Sequence, residues 1–327
     1  MTKAVLEAQG EHAVERAAAA VPLPALAVPA SLHASLMARL DRLGAAKEVA
    51  QIGAVIGREF SHALLAAVVH QSEAQLASAL NRLMAAGLLF QQGVPPHASY
   101  LFKHALVQDT AYGTLLRERR RALHARIADT LESQFPEFAE HQPELLARHC
   151  TEAGLTARAI VYWVRAGQRA VERSANAEAI RHLGHALDLL SRHPETPERA
   201  RQELAVQMLL AQALMATRGM AAPEVERAYA RAREMCEVLG HSDQLLAPGG
   251  LGTFYLVRGN IRAALETGEQ CLDVAQRLGD ADLLLKAEAG HGTVLVFLGE
   301  IESSRAHLTR GLRLAEDGTA STDVYGC

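Results

Sequence analysis

Residues 252–264 and 292–304 spell the same phrase twice. Gly252-Thr-Phe-Tyr255-x3-Gly259-Asn260-Ile261-x2-Ala264 returns forty residues later as Gly292-Thr-Val-Leu295-x3-Gly299-Glu300-Ile301-x2-Ser304. A self-match at this period is the signature of stacked helical hairpins, each burying its apolar face only against its neighbours. The residue types suit the spacing. A small residue at 252 or 292 lets a neighbouring helix approach closely. The Gly-Asn or Gly-Glu pair forms the turn, where glycine takes positive φ at little cost. Ala264 or Ser304 then lets the returning helix pack tightly. An array of this kind holds other molecules and performs no bond chemistry.

The phrase extends backward. Trp163-x2-Ala166-Gly167-x2-Ala170 runs through Ser174-Ala-Asn176 to Ala179-x3-Leu183-x2-Ala186-Leu187, which are the spacings of the tetratricopeptide consensus. A weaker copy links Leu210-Ala211 to Ala228, Ala232 and Met235 through a longer turn. Equivalent positions fall at 167, 211, 252 and 292, at intervals of 44, 41 and 40. Four hairpins exceed the roughly three needed for a stable stack. One flaw is visible. Pro248-Gly249-Gly250 lies where the third hairpin's first helix should already be running, so a shortened helix and local weakness are expected there.

Composition agrees with helices. The 327 residues are 49% hydrophobic, 21% charged and only 4% aromatic, so small-residue helix packing is favoured over sheets. A net charge of −4 steers the chain toward neither nucleic acid nor anionic membrane. Cys150, Cys236, Cys271 and Cys327 show no CxxC spacing, which points to a reduced, cytoplasmic protein. The apolar run 17–30 is short, broken by Pro22, Pro24 and Pro29, and preceded by acids, so it reads as neither membrane span nor secretory signal.

Ahead of the repeats the pattern differs. Leu32, Leu36, Leu40 and Leu43 form one helical stripe, and Val49, Ile52 and Ile56 a second, ending at Gly57. A short helix should start near Ser61, with Leu64, Leu65 and Val68 inward. The next opens on a capping box, Ser72 with Gln75, and stops at Gly87. Residues 88–90 and 99–102, around a Gly93-Val-Pro95-Pro96 turn, read as a two-stranded hairpin. Helices followed by a wing suggest a winged-helix domain. Two or three helices are expected over 105–151, with Leu123, Ile127 and Leu131 as a stripe and Pro143 in a first helical turn. The expected fold is all-α with one small β-hairpin wing. Its parts are 1–30 connector, 31–117 winged helix, 118–155 connecting helices, 156–318 tetratricopeptide α-solenoid and 319–327 tail.

Motifs for chemistry are sparse. No GxxxxGK[ST], HExxH, GxSxG or EF-hand spacing occurs. Gly249-Gly-Leu-Gly252-Thr253 resembles a phosphate loop but lacks its lysine and its strand. His141, His149 and Cys150 fit no standard zinc pattern, so no metal is expected. Arg117-Glu-Arg119-Arg120-Arg121 is a basic cluster, but the helix that would read DNA, 73–85, offers only Arg82. A solvated face or subunit contact is the simpler reading, and nucleic acid is not expected. In YLFKHALVQDTAY (100–112), His104 joins wing to helix, where a histidine can cap the helix or sit in a core.

Segments along nearly the whole chain, among them SLMARLDRLGAAKEVAQIGAVIGREF, LFKHALVQDTAY, HARIADTLESQFPE and QPELLARHCTEAG, carry a family resemblance. The chain resembles the C-terminal part of bacterial STAND-class (AAA-type) signal-transduction ATPases, closest to those fused to class III adenylate/guanylate cyclase domains. The resemblance implies the order cyclase, ATPase, winged helix, repeats. It implies that residues 1–20 end an ATPase region lying upstream, and that this chain is a fragment or truncated product. It also implies a nucleotide-sensing role for His104, which can donate to an ADP phosphate. Lys103-His104-Ala105-Leu106 has alanine where the family's Met-His-Asp type motif has aspartate.

The expectation is therefore a non-catalytic regulatory and interaction module. Its repeats, packed through Trp163, Gly167, Ala179, Ala186, Gly252, Tyr255, Gly259, Ala264, Gly292 and Gly299, would hold a protein or small ligand on their concave face. ATP/ADP and magnesium would belong to the upstream nucleotide-binding domain, leaving this chain without catalytic residues, cofactor, metal or membrane contact. Two alternatives are a piece of a cyclase or ATPase whose catalytic domains lie upstream, and a winged-helix transcriptional regulator with a repeat sensor.

Overall fold

The computed structural model describes residues 30–239 and 250–316. The connector read at 1–30, apart from Ala30, lies outside them, as do Pro248, Gly249 and the tail 319–327. The chain divides into two compact units, meeting at Leu123 and His124 in sequence. Among the described residues, no helix is long and apolar enough to cross a membrane.

The first unit is built from α1 (Ala30–Asp41), α2 (Ala45–Ile56), β1 (Glu59–Ser61), α3 (His62–Val68) and α4 (Glu73–Ala85). It continues through β2 (Leu89–Gln92), β3 (Ser99–Phe102) and α5 (Ala105–Gly113) to the start of α6 (Arg117–Gln134). Its helices follow the sequence signals. Ser61 caps α3 by accepting from the Leu64 amide at 3.2 Å, and Leu64, Leu65 and Val68 are buried. Ser72 and Gln75 exchange the two hydrogen bonds of the capping box on α4. The sheet corrects the two-stranded reading. It has three antiparallel strands in the order β1-β3-β2, with Phe60 opposite Tyr100 and Phe90 opposite Leu101. Phe60 anchors the added strand, its ring 5.9 Å from Tyr100 and 5.7 Å from Phe102. A β-carbon on Gly53 would lie 2.7 Å from that ring, so glycine in α2 makes the space for it.

The segment 105–151 holds four helices and not two or three: α5, α6, α7 (Pro136–His141) and α8 (Pro143–Ala153). Prolines open the last two in the first turn, where their missing N–H costs nothing. Leu123, Ile127 and Leu131 are buried as their spacing predicts.

The second unit continues as helical hairpins. α9 (Thr156–Glu172) pairs with α10 (Asn176–Leu190), and α11 (Pro197–Arg218) with α12 (Pro223–Leu239). α13 (Gly250–Val257) pairs with α14 (Ile261–Leu278), and α15 (Ala281–Leu298) with α16 (Ile301–Glu316). Repetition explains the order, since each hairpin's open face is covered by the next. Phe254 of α13 packs on Tyr229 of α12, and Leu251, Phe254 and Tyr255 join a core with Ala211, Ala228 and Ala232. The shortening expected around Pro248-Gly249-Gly250 falls on residues of which Gly250 alone is described.

Candidate binding face

The turns set the hairpins. Gly259 at φ 74° and Gly299 at φ 80° take the left-handed conformation that favours glycine. Asn260 accepts from the Ala263 amide to start α14, and Asp280 does the same from Leu283 to start α15. After the turn, Ala264 is fully buried, while Ser304 donates to the Gly292 carbonyl at 2.8 Å.

Inside the hairpins the predicted positions are not equivalent. A β-carbon on Gly167 would lie 2.5 Å from Leu183 of α10, and one on Gly292 would lie 2.9 Å from Leu308 of α16. Gly252 is a correction. Among the described residues, the nearest neighbours of a β-carbon there, in Ala264 and Thr267, stand at 3.9 Å, an ordinary contact that an alanine would fill. The tight approach beside that hairpin belongs to Gly268 of α14, whose β-carbon would lie 2.6 Å from His291 Nδ1. Trp163 is 9% exposed, donates to Thr151 Oγ1 at 3.0 Å, and lies against the rings of His182 and His185. Ala179 and Ala186 are fully buried, and Tyr255 is half-buried against the core of the second hairpin.

These contacts use one side of each first helix. Among the described residues two pairs of first helices also touch, α9 on α11 and α13 on α15, to an extent no pair of second helices reaches. The remaining side of the first helices is only partly covered: Val171 packs on Ala170, Ala179 and Ala213, and Met215 on the second hairpin's core, where it accepts from the Tyr229 hydroxyl at 3.9 Å. One row holds Gln168, Gln212, Thr253 and Thr293. The next holds Val171, Met215, Leu256 and Val296, and a third Glu172, Ala216, Val257 and Phe297. All twelve are exposed or half-buried, and Glu172 is the one charge among them.

Charge is concentrated elsewhere. The exposed sides of the second helices carry ion pairs such as Arg262–Glu266, Arg277–Asp273 and Arg305–Glu302. Two carboxylates are buried between the helices of a hairpin. Glu203 of α11 accepts from Arg231 of α12 at 2.6 and 3.2 Å, with Arg199 at 3.4 Å. Glu288 of α15 meets Arg310 at 3.0 Å and His307 at 2.7 Å, both on α16. A buried carboxylate needs such partners, because desolvation otherwise costs several kcal/mol.

Histidines fill buried positions as well. His124 and His149 share one hydrogen bond, Nδ1 to Nδ1 at 2.8 Å. Burial, then the neighbouring His124 and Arg148, holds His149 well below the usual histidine range. Burial also lowers His182 and His291. His149 is thus a core residue, Cys150 lies in the apolar cluster around Trp163, and exposed His141 is bonded to the Glu137 carbonyl. The three do not converge. Among the described residues no group of three or more His, Cys, Asp or Glu is placed to hold a metal ion.

In the first unit, His104 is exposed at the N-cap of α5, and its side chain makes no capping bond. The basic cluster at the start of α6 is largely engaged. Arg119 donates to Glu48 at 2.6 Å, Arg121 lies near Glu118, and Arg120 covers the Tyr112 ring and donates to the Leu115 carbonyl. Gly250-Leu-Gly252-Thr253, from the phosphate-loop look-alike, lies within α13.

The fold is thus mostly helical, a small mixed unit followed by tetratricopeptide-like hairpins. No family model matches the chain. An uncharacterized protein of Rhizobium meliloti (strain 1021) is 33% identical over 210 residues, which cover 64% of this chain. The chain spans 20% of that relative's length. Among solved structures, the chain is similar to BtubC (BKLC) from P. vanneervenii, with TM-score 0.45 and 16% identity over 63% of this chain and 83% of the other. A signal transduction ATPase with numerous domains and a tetratricopeptide repeat sensor, from Pyrococcus horikoshii, gives 0.40 and 14%, over 83% and 44%. The apo form of RapI gives 0.47 and 11%, over 80% and 64%.

Proposed function

We propose that this chain is a non-catalytic regulatory and interaction module of an ATP-dependent signalling protein. The observation that carries the reading is the side of the first helices whose residues stay exposed or half-buried in all four hairpins. That side would be the concave face on which a protein or small ligand sits. The first unit's order of helix, strand, two helices and two strands supports reading it as a winged helix. In this proposal the winged helix couples ligand binding to a nucleotide-binding domain upstream, of the STAND type and in the setting of a class III adenylate/guanylate cyclase. The domain limits proposed from the sequence, 31–117, 118–155 and 156–318, go with it.

His104 would face the nucleotide of that domain, since its ring is exposed and free of a capping bond. ATP or ADP and magnesium would be held by the other domain. A cytoplasmic setting belongs to the same reading. Cys150 and Cys271 are buried thiols outside any disulfide, each pushed up to about 11 by burial, which suits a reducing compartment. A transcriptional role is less well supported, because Arg119, Arg120 and Arg121 already face partners in their own unit. Calorimetric titration of the chain with ATP and magnesium should give no saturable heat. Saturable binding would contradict the reading.

A further inference from the structure

We infer that the outward side of α16 is an interface with a second copy of this chain, the two α16 helices packing antiparallel. Ile301, Arg305, Leu308, Leu312 and Glu316 fall at helical spacing along one side of α16. Ile301 is 58% exposed, Leu308 41% and Leu312 59%. Register identifies this as a packing side. Gly268, Cys271, Leu272 and Ala275 of α14 are the equivalents, forty residues earlier, of Leu308, Gly311, Leu312 and Ala315. A β-carbon on Gly268 would meet His291 of α15, and Cys271, Leu272 and Ala275 share a core with Leu283 and Ala287 of that helix. The repeat thus makes this side of a second helix a seat for another helix, and α16 presents two exposed leucines there.

Charge points to the occupant. Arg305 and Glu316 are the two charged residues of the stripe, both exposed and opposite in sign, with Leu308 and Leu312 between them. The charged pair and the leucine pair are centred on nearly the same point, at Arg310. A parallel partner would set arginine against arginine and glutamate against glutamate. An antiparallel copy, related by a two-fold axis near Arg310, sets Leu308 against the partner's Leu312 and Arg305 against the partner's Glu316. Each contact is then made twice. Arg310 itself turns inward to Glu288 at 3.0 Å and leaves this side uncrowded. The bond from Arg305 to Glu302, at 2.7 Å, joins two well-exposed groups, so it yields to a partner at little cost. A contact of one helix from each copy falls below the roughly 1,200 Å² of stable interfaces, so the dimer is expected to be reversible.

Sedimentation velocity of the full chain, from micromolar to submillimolar concentration, tests the assignment. The variants are Leu312→Glu, Arg305→Glu, Arg305→Glu combined with Glu316→Arg, and Phe297→Glu on the first-helix side, with circular dichroism to verify folding. The parent should pass from monomer to dimer as concentration rises. Leu312→Glu should weaken the dimer about tenfold or more, because the substitution enters the interface twice. Arg305→Glu should weaken it less, and the charge-swapped double variant should regain the parent's association. Phe297→Glu should match the parent throughout. A parent that stays monomeric over the whole range would overturn the inference, as would a dimer that Leu312→Glu leaves intact. A dimer lost in Arg305→Glu and not recovered by the swap would overturn the antiparallel pairing.

Discussion

The first and third hairpins carry a glycine at the same point of their first helices, and the two glycines serve different ends. Gly167 lies so close to Leu183 that a β-carbon would stand 2.5 Å away, whereas among the described residues nothing stands nearer than 3.9 Å to a β-carbon on Gly252. The first hairpin fills its interface with Trp163, backed by His182 and His185. In the third, Leu251, Phe254 and Tyr255 pack on the preceding hairpin. A repeat position thus fixes where a residue stands, not how closely its neighbour comes. Neighbouring side chains decide that.

Substitutions can break or sharpen this contrast. The largest effect is expected from Trp163→Ala, which removes the buried indole and its bond to Thr151 and should cost about 3–5 kcal/mol in denaturant unfolding. An unchanged midpoint would refute the packing described for the first hairpin. Gly167→Ala comes next, at about 1–3 kcal/mol of destabilisation, because overpacking must displace Leu183. Gly252→Ala is expected to do the opposite. A helical glycine with room for a methyl gains up to about 1 kcal/mol on becoming alanine, so the midpoint should rise. If both alanines shifted the midpoint in the same direction, the distinction between the hairpins would fail.

Acidity supplies a further test, for which the direction is defined. His149, His182 and His291 are all lowered by burial, so the native state keeps them neutral while the unfolded chain takes up protons near the ordinary value of 6.5. The unfolded state then binds more protons below that pH. The stability from keeping them neutral is present above 6.5 and is lost as pH falls toward the folded values. The melting temperature should fall on going from neutral pH into the range below 6.5, and His149→Gln should flatten that slope. A melting temperature that rises with acidity would contradict the buried neutral state.

Much of this fold was legible in the sequence, because its signals are local. The forty-residue echo, the Ser72–Gln75 capping box and Pro143 each concern residues within a turn or a hairpin of one another. The missed features are tertiary. β1 is only Glu59-Phe60-Ser61, too short to show alternation, and forms because Gly53 makes room for Phe60 and β3 offers an edge. His124 and His149 meet from separate helices with no spacing rule to announce them. Glu203 and Glu288 read as ordinary surface acids until a partner helix brings arginine to each. Gly268 was hidden for the same reason, since its neighbour His291 belongs to the next hairpin. The open side of the first helices was readable only in part: the register gives its rows, but the structure is needed to find which side packing leaves free.

Hydrogen–deuterium exchange of the full chain, with and without a peptide selected against it from a random phage-displayed library, tests most directly whether that exposed side is where a partner sits. Protection is predicted in the first helices, strongest at 253–257 and 293–297, with the second helices unchanged. Protection confined to α10, α12, α14 and α16, or to residues 30–123, would contradict it.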